Sequence, residues 1–104
     1  MEKEFTWSDS EDTELYKNGV TVMWIAGRTK AIQKFVEELS YKSGYKCDFS
    51  RIAGRAHIDT SKEGLKEVMK VIKDEEFVNK FIVPYSEESY DNETYFEPLW
   101  YRRR

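Results

Sequence analysis

The sequence predicts an α+β sandwich in which two helices cover one face of a four-stranded antiparallel sheet. Two observations carry this reading. Segments of strand and helix periodicity follow one another in the order β-α-β-β-α-β, and each has a single apolar face to bury. The chain is also short: 104 residues, 39% apolar and 15% aromatic, suffice for one core and leave little for long unpacked arms.

Asn18-Gly19 is a turn signal, and Val20-Thr21-Val22-Met23-Trp24-Ile25 is an apolar, β-branched run that reads as a central strand, broken by Ala26-Gly27. Thr29 is placed to cap a helix running to about Lys42, with Ile32, Phe35, Val36 and Leu39 at the 3.6-residue repeat and Ser43-Gly44 as its stop. Tyr45, Cys47 and Phe49 alternate with Lys46, Asp48 and Ser50, as in a half-buried strand. A tight connection at 51–54 leads to a strand from about Arg55 to Asp59, with small and apolar side chains on one face and Arg55, His57 and Asp59 on the other. Thr60 and Glu63 have capping-box spacing before a second helix that carries Leu65, Val68, Met69 and Ile72 and ends near 74–77. Phe81-Ile82-Val83 reads as the fourth strand, stopped by Pro84.

These elements define one domain: an acidic arm over 1–16, a body over 17–84, and an acidic, aromatic extension over 85–104 that is expected to pack back on the body, with a further edge strand as one option. The body is expected to be a ferredoxin-like βαββαβ sandwich. Ile-Ala-Gly-Arg occurs twice, at 25–28 and 52–55, each time beside a strand end, where Gly27 and Gly54 mark sharp turns.

Over residues 20–84 the arrangement resembles the RNA recognition motif. Met23-Trp24-Ile25-Ala26-Gly27 is similar to that family's shorter motif, and Gly54, Ala56 and Ile58 fit its octamer within 53–60. Ala53 stands in place of a basic residue, and Arg55, His57 and Thr60 in place of aromatics. The resemblance implies a sheet face that stacks bases on Trp24, with Arg55 and His57 stacking or hydrogen-bonding beside it.

Charge is unevenly spread. Residues 1–16 carry a net −5, residues 17–84 a net +4 and residues 85–104 a net −2. A mildly basic body thus carries acidic ends, which serve to screen the body's charge, to compete with an anionic ligand, or simply to keep the protein soluble. A single cysteine, Cys47, excludes an internal disulfide and fits a reducing compartment, so a cytoplasmic location is expected. One histidine and one cysteine give no basis for a zinc or iron centre, no cofactor motif is present, and no run is long enough for a membrane span. The start of the chain does not read as a signal peptide.

The expected function is that of a small, non-catalytic binding protein for RNA or single-stranded nucleic acid. Its candidate site is Trp24, Arg28, Lys30, Arg55 and His57, with Lys46 or Arg51 nearby. Arg28 and Lys30 flank a helix start, where amides and cations together suit phosphate; an ordinary helix start is the plainer reading. Equally plain readings make Trp24 a core residue, or lay the C-terminal aromatics over the sheet face. The alternative function is a protein-interaction module, a regulator or inhibitor that uses sheet edges or its acidic arms. Metal-independent nuclease chemistry through His57 with Asp59 or Asp48 is a third possibility. The oligomeric state is left open.

Overall fold

The computed structural model describes residues 19–101. The expected acidic arm and the terminal Arg102 to Arg104 lie outside the described residues. The chain runs β1 (Gly19–Gly27), α1 (Thr29–Ser43), β2 (Cys47–Ile52), β3 (Arg55–Ser61), α2 (Leu65–Ile72), α3 (Glu75–Asn79), α4 (Glu87–Asp91) and β4 (Phe96–Pro98). The fold is α+β. All three strand pairings are antiparallel, and the sheet order is β2-β3-β1-β4.

Alternation divides the sheet into two faces. Met23, Ile25, Cys47, Ala56 and Ile58 are buried together with Ile32, Phe35, Val36 and Leu39 of α1 and Val68, Val71 and Ile72 of α2. Both long helices therefore dock on the same side, and Trp24 and His57 take the other. A bulge between Thr21 and Met23 shifts the β1–β3 register by one. As a result Thr21, three residues before Trp24, shares its face.

The β2–β3 hairpin turns on Ala53 and Gly54, with φ values of 52° and 81°. Positive φ at both central residues matches the twist of the flanking strands.

Three elements differ from the sequence expectation. Thr29 does not cap α1; Arg28 holds the N-cap position and makes no side-chain cap bond. Thr60 does not cap α2 either. It is buried in β3, where its hydroxyl donates to the Lys46 carbonyl (3.2 Å), while Ser61 Oγ accepts the Gly64 amide in the turn that precedes the helix. Segment 81–83 is not the fourth strand: Val83 makes an isolated bridge to Phe96, each amide bonding the other's carbonyl. Phe81 instead joins an aromatic cluster in which Phe35 meets Phe96 at 4.7 Å, Phe81 at 5.1 Å and Phe77 at 5.7 Å between ring centroids. Such packed rings add roughly 0.5–1.5 kcal/mol per pair beyond their burial.

The fourth strand comes from the C-terminal extension. Phe96, Glu97 and Pro98 pair with Gly27, Ala26 and Ile25. Pro98 has no amide to give to a ladder, a lack an edge strand tolerates. The next amide, that of Leu99, donates to the Trp24 carbonyl at 2.9 Å.

A Cβ at Gly27 would lie 2.6 Å from the Tyr95 carbonyl oxygen and 3.1 Å from the Phe96 Cα, both backbone atoms that cannot rotate away. Gly27→Ala is therefore expected to destabilise the fold by about 1–3 kcal/mol in urea denaturation. Cys47 is 1% exposed, and burial pushes its thiol up to about 11 from an ordinary value near 9, only partly offset by hydrogen bonding with Thr60 and Ser40. The unfolded thiol ionises first as pH rises, so stability falls between about pH 9 and 11, a slope that Cys47→Ala should reduce. At pH 8 the native thiol should resist alkylation that proceeds at once in denaturant.

Candidate functional site

Trp24 and His57 are cross-strand partners in the β1–β3 ladder, and their rings lie 5.1 Å apart at 37°. Trp24 keeps 39% of its surface exposed, enough to offer one face of the indole. His57 is held from behind. Its Nδ1 is 3.1 Å from Asp59 Oδ1, and the Thr21 hydroxyl donates to the same oxygen at 2.7 Å. Asp59 is buried, as is Asp48 directly opposite it on β2, whose Oδ1 accepts the Phe49 amide at 2.8 Å. His57, braced by Asp59, therefore packs against the indole from the neighbouring strand. On the β4 side Leu99 and Trp100, 43% and 50% exposed, join Thr21, Val22, Met23 and Trp24 around an open groove of about 590 Å³.

One strand step beyond this pair, Ala26 on β1 and Arg55 on β3 share the same sheet face and border a second concavity. This cleft of about 530 Å³ is lined by Arg28, Arg51, Arg55, Tyr90 and Tyr95, with the Gly27–Thr29 backbone at the start of α1 and the 53–54 turn. No acid is among its described lining residues. Two of its guanidinium groups are anchored. Arg28 donates through Nη1 to the Tyr90 carbonyl at 2.6 Å and lies over the Tyr90 ring at 4.1 Å; Arg51 donates through Nη2 to the Gly54 carbonyl at 3.2 Å. The α1 start adds a positive dipole end, since no acid occupies the first turn.

Of the five residues singled out by sequence, the structure brings together four in two adjoining groups: Trp24 with His57, and Arg28 with Arg55. Lys30 is not among them. It does not line the cleft and pairs loosely with Glu93 at 4.0 Å, between exposed side chains. A contact of that kind contributes little. Lys46 lies at the far end of the β2–β3 ladder from the cleft, just before Cys47.

Tyr90 and Tyr95 were not expected in a site, because the extension gave no hint of where its rings would land. The duplicated Ile-Ala-Gly-Arg did hold a signal. β1 ends where its antiparallel partner β3 begins, so the two copies necessarily meet at one end of the sheet.

Among the described residues no group of three metal-ligating side chains occurs, and no helix is long and apolar enough to cross a membrane. No protein-family model, curated protein or solved structure matches the chain.

Because the Thr21 hydroxyl is one of the direct partners of a buried carboxylate, Thr21→Val should destabilise the protein by about 1–3 kcal/mol in chemical denaturation. Thr21→Ser, which keeps the donor, should recover most of that loss.

Proposed function

We propose that this protein binds single-stranded nucleic acid, RNA above all, across the open face of its sheet. A base stacks on Trp24, which His57 supports from the next strand, and Arg55, Arg51 and Arg28 meet the phosphates. The observation that carries this reading is continuity: an exposed indole and a cleft with three arginines, and no acid among its described lining residues, adjoin on one sheet face. Stacking supplies sequence-tolerant affinity and guanidinium groups supply charge, the pairing expected of a single-strand binder.

The strand order β2-β3-β1-β4, with both long helices on one face, supports reading the fold as a ferredoxin-like sandwich whose last strand is Phe96–Pro98. We read His57 as a support for the indole rather than as a catalyst, because its ring packs against Trp24 at 5.1 Å. The Thr21 hydroxyl and the imidazole Nδ1 converge on one oxygen of Asp59, so the hydroxyl is committed to the carboxylate. We place the protein in the cytoplasm, where a single unpaired thiol stays reduced.

A second reading has its own observation. Trp24, Leu99 and Trp100 form an exposed apolar patch that also suits a protein partner, making the chain a regulatory interaction module.

Anisotropy titration of labelled single-stranded RNA and DNA at low and moderate salt tests the first reading. Trp24→Ala is expected to weaken binding by about 5- to 150-fold, the worth of one stacked base. Arg55→Ala should weaken it for all sequences alike and lower the salt slope by about one. Absence of binding by the wild-type protein at low salt would sink the proposal and favour a protein partner.

A further inference from the structure

We propose that the arginine cleft is an end-binding pocket that takes the terminal phosphate monoester of a strand. This rests on the nucleic-acid reading above and deepens it.

An end pocket and a groove that a backbone runs through call for different linings. This cleft is lined by the 53–54 turn of the β2–β3 hairpin, by Tyr90 and Tyr95, and by the start of α1. Tyr95 is fixed there by the chain itself. Its carbonyl accepts the Arg28 amide at 2.8 Å, and its ring meets Tyr85 edge-on at 5.4 Å. Ala26 and Arg55 connect the cleft with the stacking surface along the sheet face. A strand whose base lies on Trp24 can thus end in the cleft.

Charge makes the same distinction. An internal phosphodiester carries one negative charge, whereas a terminal monoester carries nearly two at neutral pH. Three guanidinium groups exceed what one diester needs and suit a monoester with several equivalent oxygens. Arg28 and Arg51 are already held by backbone carbonyls, and Arg28 by a ring as well, which lowers the ordering cost on binding. The Arg55 guanidinium makes no hydrogen bond or ion pair among the described residues, so it is available to close on the ligand. Thr29, Lys30 and Ala31 lie at the start of α1, where amides have no acceptor within the helix, and Arg28 supplies no side-chain cap. Both Ile-Ala-Gly-Arg copies deliver their arginine to this one place.

The test compares oligonucleotides of one sequence with a 5′-phosphate, a 3′-phosphate or hydroxyl groups at both ends, titrated against the full chain and against Arg51→Ala and Arg51→Lys. Arg51 meets phosphate in the proposed site, so the readout is the ratio of affinities for the phosphorylated and hydroxyl-ended strands rather than either affinity alone. The wild type should bind one phosphorylated end about tenfold or more tightly than the hydroxyl-ended strand. Arg51→Ala should abolish that preference and Arg51→Lys should retain only part of it. Inorganic phosphate should compete away the same advantage in the wild type, a readout that does not depend on any variant folding.

Equal affinity for all three strands, with binding still dependent on Trp24, would overturn the end pocket and leave the nucleic-acid reading intact. Competition by an acidic peptide as effective as that by phosphate would overturn it in favour of a carboxylate site. Loss of all oligonucleotide binding would overturn both readings together.

Discussion

The close approach of β4 to the Gly27 end of β1 is the constraint on which the remaining arrangement depends. Only a residue without a side chain lets the Tyr95–Phe96 backbone come so near. Once it does, Phe96 drops onto Phe35 and completes the aromatic cluster that ties α1, α3 and segment 81–83 to the sheet. The same contact sets Tyr90 and Tyr95 beside Arg28, and it brings Leu99 and Trp100 alongside Trp24. Core, cleft and groove thus share one hinge point of close packing, although β4 itself is only three residues long.

The two faces of the sheet solve different problems. The helix-covered face is closed with apolar side chains, and Cys47 behaves there as a small hydrophobe. The opposite face has to keep an indole accessible while burying polar groups beneath it. It does so by giving Asp59 two partners, Thr21 and His57, from two different strands. Satisfied polar groups of this kind fix side-chain positions more tightly than apolar contacts alone. The indole consequently sits on a defined support.

Much of the fold was legible because its signals were local. The strand around Met23 and Ile25, the α1 stripe from Ile32 to Leu39, and a tight connection within 51–54 all follow from periodicity and turn chemistry. Trp24 and His57 were correctly placed on a shared face by simple alternation. What escaped depended on distant contacts. Phe81-Ile82-Val83 has strand composition, but its first ring is claimed by Phe35 and Phe77, and the ladder position goes to Phe96. Phe-Glu-Pro is too short, and its proline too discouraging, to be read as a strand. Thr60 and Glu63 match a capping box in spacing alone, because the Thr60 hydroxyl is spent on Lys46. Alternation would also have put Thr21 on the core side with Met23; the bulge, invisible in sequence, moves it next to Asp59. The cleft was half legible: Arg28 and Arg55 were singled out, whereas Tyr90 and Tyr95 reach it only through β4.

β1 occupies a central place in the sheet, yet its partner on one side comes from the opposite end of the described chain. While the polypeptide is being synthesised, β1 can pair with β3 long before residues 96–98 exist. Until they emerge, the Ile25–Gly27 end of that β1 edge stays bare, next to a core that lacks Phe96. An open strand edge beside apolar surface is a template for pairing with another chain. The briefest strand of the sheet is thereby also its seal, and the period before it arrives is when the nascent protein is most exposed to misassembly.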